Sequence, residues 1–251
     1  MKRFSVLALI NVIGYILVIA VNYLANALPI NGQTTGEVSA SIPVLFTPAS
    51  YAFSIWGLIY LLLGIWVVRQ FFVKDEERKI YEKIGYWFFI SCLFNSLWIF
   101  VFHYELFTAS LLVMLGILIS LITVYTRIQS SPDPKWLMRT PFSIYLGWIS
   151  VATIVNFFIF FYTNGIESFL GLNELAWTII MLVVGAVLAV WFTFKNDDIY
   201  YPLVFIWAYI AIYVNQDPVA IKRTAVVTVI VIAAAVLLNI IRMIRNKNKT
   251  A

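Results

Sequence analysis

The sequence has little charge for its length. Only 12% of its 251 residues are charged, whereas 63% are hydrophobic; a typical soluble domain is about a quarter charged and about half apolar. So few charged side chains cannot form the polar surface that a soluble fold of this size needs. The composition therefore excludes a soluble globular enzyme, a nucleic-acid-binding module and a disordered chain, and it predicts a protein embedded in a lipid bilayer.

Cysteine and histidine are also scarce. Cys92 is the only cysteine, so the chain can form neither an internal disulfide nor a cysteine-based metal site. His103 is the only histidine, which argues against a histidine-ligated metal or haem. The sequence contains no serine-nucleophile motif, phosphate-binding glycine loop or nucleotide motif. We therefore predict no catalytic residues, no metal site and no required cofactor, and we do not expect an enzyme.

Charge is also missing from the middle of eight apolar runs. A helix needs about 20 apolar residues to cross the hydrocarbon core, and the seventh run is short enough to be tilted or re-entrant. Proton-coupled transporters and ion pumps usually keep a charged side chain within the membrane, so this pattern disfavours them. The eight runs are residues 4–28, 51–73, 86–104, 106–125, 141–162, 175–194, 199–214 and 224–244.

The first run suggests either a signal peptide or a retained helix. Two basic residues precede it, and residues 25–27 resemble a small-residue cleavage site. The apolar region of a signal peptide is only about 7–15 residues long, whereas this run is longer and is interrupted at helical spacing by Asn11, Gly14 and Asn22. We therefore predict a retained transmembrane helix.

The basic residues lie mainly on one side of the predicted membrane. With the N-terminus inside, only Lys222 and Arg223 of the 17 Lys and Arg residues fall in outer loops. Cytoplasmic loops carry such an excess of positive charge. We therefore predict eight spans in a bacterial plasma membrane, with the N- and C-termini in the cytoplasm. The first outer loop, residues 29–50, lacks Lys and Arg, and it is either a cap over the bundle or a plain solvated linker.

Aromatic residues are abundant instead, with 9 Trp, 14 Tyr and 20 Phe. Part of this content belongs to interfacial belts, but some rings share helix faces with asparagines in three of the runs. Residues separated by three or four positions lie on one helix face, and flat rings, a few amides and a small gap suit a planar apolar ligand. Packing of a tight bundle explains the same residues equally well. The candidate ligand-binding residues are Trp56, Asn95, Trp98, Trp148, Ala152 and Asn156.

The same segments carry short motifs. The second run contains Trp56-x-x-x-Tyr60, and the third contains Asn95-x-x-Trp98 followed by Phe102. These motifs resemble those of the second and third helices of the TspO/MBR family, the tryptophan-rich sensory proteins that include the mitochondrial translocator protein.

The fifth run carries the most specific match to this family. It begins with Pro141-Phe142 and continues with Trp148-x-x-x-Ala-Thr-x-x-Asn156-Phe157, where the family has Pro-Tyr and Trp-x-x-x-Ala-Thr-x-x-Asn-Tyr. The resemblance covers about residues 1–162. The chain departs from the family at three positions, with Ser54 in place of a proline and two phenylalanines in place of tyrosines, and it has three extra helices.

The resemblance implies an all-α, polytopic transmembrane helix bundle. Residues 1–165 would form a five-helix TspO-like core, and residues 166–251 would add about three transmembrane helices and a basic cytoplasmic tail. It also implies a pocket among helices 1–5 under the first outer loop. Family members bind porphyrins such as protoporphyrin IX, and some bind sterols, so a porphyrin- or haem-related ligand is expected. Light-dependent porphyrin degradation is implied by resemblance alone.

Three functions follow as hypotheses. The first is a membrane receptor or sensor that binds a planar hydrophobic ligand. The second is a carrier of a hydrophobic or neutral solute, with the last three helices as the moving part. The third is a structural assembly protein, in which those helices form an oligomerisation surface, for example in a homodimer. The expected partners are the lipid bilayer and a hydrophobic small molecule, and no nucleic acid.

Overall fold

The computed structural model describes residues 2–28, 30–132 and 134–250, which form a helical bundle. Pro29, which belongs to the first outer loop, lies outside the described residues. Apolar runs become helices because a backbone surrounded by lipid must satisfy its own hydrogen bonds. The helices are α1 (Lys2–Ala27), α2 (Thr35–Ser41), α3 (Ile55–Arg69), α4 (Asp75–Ile84), α5 (Trp87–His103), α6 (Phe107–Gln129), α7 (Trp136–Thr163), α8 (Glu174–Asn196), α9 (Tyr200–Asn215) and α10 (Val219–Thr250).

Each of the eight apolar runs forms a helix, so the predicted all-α bundle is confirmed. Within the described residues, six helices are long and apolar enough to cross a membrane, namely α1, α3 with the turn before it, α6, α7, α8 and α10. Helix α5 reaches that length only together with α4, from which it is bent by 48°. Helix α9 has 16 residues, or about 24 Å at 1.5 Å per residue, and is short of a full span.

Helix α7 lies at the centre of the bundle, and more than half of its 28 residues are buried. It packs against α3, α6 and α9. At Gly147 a Cβ atom would lie 3.0 Å from the Tyr201 carbonyl oxygen and 3.0 Å from the Val204 side chain. Glycine therefore lets α7 and α9 approach closely, and the last three helices pack directly on the first five.

Residues 30–54, called the cap segment here, fold over one end of the bundle. The segment contains α2, which begins with a capping box: Thr34 Oγ1 accepts the Glu37 N–H at 3.3 Å, and the Thr34 N–H donates to Glu37 Oε2 at 2.7 Å. The Thr34 backbone N–H, and after it the Thr34 side chain, lower the pKa of the Glu37 carboxyl. Because Val44 and Phe46 are buried, the segment is a packed cap and not a solvated linker.

His103 at the end of α5 anchors the start of the cap segment. Its side chain is fully buried. Its Nδ1 lies 3.0 Å from the Ile30 carbonyl oxygen, and its Nε2 lies 2.9 Å from Thr35 Oγ1. Because a carbonyl oxygen can only accept, Nδ1 carries the proton in this arrangement.

The rest of the cap segment is held by α8 and α9. The Glu174 carboxylate accepts the Leu45 N–H at 2.6 Å, and Gln216 Nε2 donates to the Thr47 carbonyl at 2.9 Å. The Ala49 N–H donates to the Ala211 carbonyl at 3.1 Å. The extra helices therefore fix the position of the cap, which the sequence alone did not indicate.

Charged groups gather at the opposite end, called the basic end here, where α3, α6 and α8 finish. Glu77 of α4 pairs with Arg69 and lies 2.5 Å from Lys135 Nζ, so the acidic-basic stretch after α3 is a docked amphipathic helix. Asp198, between α8 and α9, has no exposed side-chain surface. Its carboxylate accepts from Tyr125 at 2.8 Å and Ser143 at 2.5 Å.

Candidate functional site

A narrow cavity lies under the cap segment, between α3, α5 and α7, and is called the aromatic cavity here. Its volume is about 20 Å³. Three residues of the cap segment close it from above, and the helices supply the walls. The lining residues are Ser39, Pro48, Phe53, Trp56, Trp98, Phe102, Trp148, Val151, Ala152, Val155, Asn156 and Ile159.

Five of the six predicted ligand-binding residues lie around this cavity. Trp56 from α3, Trp98 from α5 and Trp148 from α7 meet at one place, although their positions in the sequence are far apart. Ala152 and Asn156 follow Trp148 on the same face of α7, one and two helical turns later. The convergence expected from helical spacing is therefore present in the structure.

The rings meet mostly edge to face. Trp148 lies 5.7 Å from Phe53 at 83° and 6.4 Å from Trp56 at 84°. Trp98 stacks on Phe102 with the ring centroids 4.7 Å apart. Such pairs contribute about 0.5–1.5 kcal/mol beyond the burial of their area. The walls are thus large rigid planes, which suit a flat ligand better than a flexible one.

Asn156 fixes the orientation of one of these rings. Its Oδ1 accepts the Trp98 indole N–H at 3.4 Å and the Ser110 hydroxyl at 2.6 Å, while its Nδ2 donates to the Ala152 carbonyl at 2.9 Å. The amide therefore connects α5, α6 and α7 beside the cavity. An interhelical hydrogen bond of this kind is worth about 0.6–2 kcal/mol in a membrane.

Asn95 is the predicted residue that does not line the cavity. Its Oδ1 accepts from Asn22 Nδ2 at 2.9 Å, and its Nδ2 donates to the Tyr145 hydroxyl at 2.8 Å. The Tyr145 ring in turn lies 5.7 Å from Trp56. Asn95 thus supports the wall of the cavity through Tyr145, in a buried polar chain that begins on α1.

Sequence reasoning missed several residues of the site. Phe53, Pro48 and Ser39 come from the cap segment, and their contribution depends on how the loop folds. Tyr145 lies three residues before Trp148 on α7, so the helical spacing that selected Trp148 could have found it. Asn22 drew attention only as an interruption of the first apolar run.

The cavity as it stands is too small for a planar ligand. A volume of about 20 Å³ holds about one water molecule, and a porphyrin needs far more space. The lining contains no charged side chain. A planar ligand would therefore have to displace the cap segment, and the cavity offers it aromatic faces, one amide and one serine hydroxyl. Within the described residues, no cluster of three His, Cys, Asp or Glu side chains could hold a metal ion.

Comparison with known proteins agrees with this architecture. A family model described as TSPO-like protein matches residues 8–243, which include the last three helices as well as the first five. Comparison with curated proteins and with solved structures gave no significant match. The division of the chain at residue 165 stays a prediction. The helical bundle and the match over nearly the whole chain place this integral membrane protein in the TSPO-like protein family.

Proposed function

We propose that this TSPO-like protein is a membrane receptor or sensor that binds a planar hydrophobic ligand, such as a tetrapyrrole or a sterol, in the aromatic cavity. One observation carries the proposal: Trp56, Trp98 and Trp148 come from three helices and converge with Ala152 and Asn156 on one buried cavity under a cap. A core that only packs helices together needs no cap over it.

The ligand would stack on the tryptophan faces. Ala152 is the smallest side chain between Trp148 and Asn156 on that face of α7, so it leaves room for the edge of a ring. Ser39 and the second N–H of the Asn156 amide supply hydrogen-bonding groups. The proposal is binding without catalysis, since the lining offers no group that could act as a general acid or base at neutral pH.

Movement of the cap segment would admit the ligand. Its hydrogen bonds with α8 and α9, among them those from the Leu45 N–H to Glu174 and from the Ala49 N–H to the Ala211 carbonyl, would have to break for this movement. A ligand that binds the open form more tightly than the closed form shifts the equilibrium toward the open form, and the size of the shift is set by the difference between the two affinities. Binding would thereby change the position of the cap relative to α8 and α9, which is how we propose that the signal is produced.

We further propose that the basic end faces the cytoplasm of a bacterial cell, with both termini inside. The positive-inside rule supports this orientation, because Arg69, Lys135 and Arg139 gather at the basic end whereas Lys222 and Arg223 lie at the capped end. The cap would then face the outside, and the ligand would arrive from that side or from the outer leaflet.

Protoporphyrin IX titration tests the proposal. Saturable quenching of tryptophan fluorescence is expected for the full chain in detergent or nanodiscs, and it should be strongly reduced in a Trp56→Leu, Trp148→Leu double variant. The matched control is Trp136→Leu, since Trp136 is 62% exposed and lies outside the cavity. If the wild type shows no quenching, or if the double variant and the Trp136→Leu control are quenched equally, the ligand does not bind in the aromatic cavity. Uptake of the porphyrin into proteoliposomes would favour a carrier instead.

A further inference from the structure

A second and larger opening lies on another side of α7, between α6 and α7 on one wall and α8 on the other. Its volume is about 570 Å³, which falls in the range of small-molecule sites. Tyr201 of α9 lies at its base and donates to Ser150 Oγ at 3.0 Å. We call this opening the α8 groove.

The α8 groove is apolar and opens toward the outer surface of the bundle. Its wall includes Ile122, Phe157, Val184 and Leu188, which are between 37% and 48% exposed. In a membrane these side chains face lipid. The groove is lined by more aliphatic than aromatic side chains, so it fits a flexible hydrocarbon chain better than a flat ring.

The groove is also elongated along the helices. A neighbouring apolar cavity of about 270 Å³ shares Ile154, Phe157 and Met181 with it and continues toward Phe169 and Trp177. Phe169 belongs to a short hairpin in which β1 (Ser168–Phe169) pairs with β2 (Leu172–Asn173) at the capped end. Together the two spaces form a long, narrow channel that follows α7 and α8 through much of the membrane. An acyl chain has the same elongated shape.

One end of the groove carries a cation. Lys195 and Asn196 line it at the basic end, and the Lys195 ammonium lies 4.6 Å from the centre of the Trp191 ring. Nearby acidic groups are already engaged, because Asp197 pairs with Arg242 and Asp198 with Arg139. In the part of the chain that the structure describes, no carboxylate lies within 4 Å of the Lys195 ammonium.

We propose that the α8 groove is a binding site for an anionic phospholipid, with one acyl chain between α7 and α8 and the headgroup phosphate at Lys195. Lysine side chains reach from the hydrocarbon to the headgroup level, and basic pockets between transmembrane helices bind anionic headgroups on the side where basic residues gather. The charge at one end and the hydrocarbon along the rest match the two parts of this lipid. The proposal does not depend on the ligand of the aromatic cavity.

Lipid retention by the purified full chain tests the headgroup part of this proposal. In native mass spectrometry with mixed phosphatidylglycerol and phosphatidylcholine, the wild type should retain one phosphatidylglycerol in preference. Lys195→Gln should abolish that preference. Lys222→Gln is the matched control, because its ammonium also lies over an aromatic ring, Tyr213 at 5.7 Å, but at the other end of the bundle. Equal retention of both lipids by the wild type, or an unchanged preference in Lys195→Gln, would overturn the proposal.

A second pair of variants tests the acyl-chain part. Val184→Trp places a large ring in the groove and should reduce retention of both lipids severalfold. Val183→Trp is its control, since Val183 is similarly exposed, 46% against 48%, and does not line the groove. Equal retention by the two variants would contradict the site. A shift of Val184→Trp from dimer to monomer with unchanged lipid retention would show that a second copy of the chain occupies the groove, which also overturns the proposal.

Discussion

The aromatic cavity and the α8 groove lie on different sides of the same helix, and they differ in almost every physical respect. The cavity holds about 20 Å³, its lining includes three tryptophans and one asparagine, and it lies under the cap segment. The groove holds about 570 Å³, has more aliphatic than aromatic side chains in its walls, and faces the outer surface of the bundle. A site that binds one particular ligand inside a membrane must keep lipid out, so it needs a cap and tight packing. A site that binds lipid needs neither.

Helix α7 serves both sites through its periodicity. Trp148, Ala152 and Asn156 recur every four residues on one face, and Ser150, Ile154 and Phe157 follow a similar spacing on another. Because one face of α7 lines the aromatic cavity and another lines the α8 groove, a rotation of α7 about its axis would change both sites. Substitutions that alter only one face can therefore separate their roles.

The largest effect is expected at the basic end, at the buried Asp198. Asp198→Asn removes the buried charge that faces Arg139 and weakens hydrogen bonds from Tyr125 and Ser143. Breaking a fully buried ion pair costs about 3–5 kcal/mol. Because the Arg139 side chain is 21% exposed, the cost here should lie at the lower end, at about 3 kcal/mol, and thermal unfolding should begin at a clearly lower temperature. The neighbouring control, Asp197→Asn, breaks an exposed pair with Arg242 and should cost at most about 1 kcal/mol. Equal melting temperatures for the two variants would contradict a structural role for the buried carboxylate.

The next effect concerns the wall of the aromatic cavity. Asn156→Leu leaves the Trp98 N–H and the Ser110 hydroxyl without their acceptor, at a cost of about 1–3 kcal/mol for two interhelical hydrogen bonds. Thermal unfolding should show this loss, and affinity for protoporphyrin IX should fall because Trp98 is free to turn. Asn164→Leu, at an exposed helix end, should change stability by less than about 0.5 kcal/mol. If both variants match the wild type, Asn156 does not position the ring.

A smaller effect is expected at the cap segment. Gln216→Ala removes the side chain that donates to the Thr47 carbonyl at 2.9 Å. Losing a hydrogen bond of about 1 kcal/mol favours the open form by about fivefold, so stopped-flow measurements should show faster association of protoporphyrin IX by about that factor. Gln129→Ala at the basic end, where its side chain contacts Arg139, is the control. An unchanged association rate in Gln216→Ala would mean that the cap does not control access.

The smallest effect is the pH response of the cap's first helix. The pKa of Glu37 is lowered by its hydrogen bonds with Thr34, so its contribution to the stability of α2 is complete above the unfolded value of about 4.3 and is lost as pH falls through the folded value. Hydrogen exchange of residues 34–41 should differ between wild type and Glu37→Gln at pH 6, and this difference should vanish toward pH 3. A difference that does not change with pH would contradict this account.

Much of the fold could be predicted because its signals are local. Each apolar run marks a helix on its own, and the repeat of Trp148, Ala152 and Asn156 marks one helix face without knowledge of the neighbours. The same reasoning could not place Asn95. Its face was assigned correctly with Trp98, but its amide turns toward Asn22 and Tyr145, and the rotation of a helix about its axis is set by the helices around it.

Other features depend on contacts between distant parts of the chain. Leu45 meets Glu174, and Thr47 meets Gln216, across 129 and 169 positions. A loop rich in polar residues has no periodic pattern that reveals such partners. The burial of Asp198 was also hidden, because its sequence context is an ordinary helix-to-helix turn and its neutralising partners lie on α6 and α7.

The central claim is that the aromatic cavity binds a planar ligand, and filling the cavity tests it most directly. Ala152→Trp places an indole in the space beside Trp148 and occupies the room proposed for the ligand. Binding of protoporphyrin IX, measured from the porphyrin absorbance, should weaken by about 10- to 100-fold, which is about 1.4–2.8 kcal/mol of binding free energy. Ala234→Trp adds the same ring at an exposed position of α10 and should bind like the wild type. Wild-type affinity in Ala152→Trp would contradict the claim.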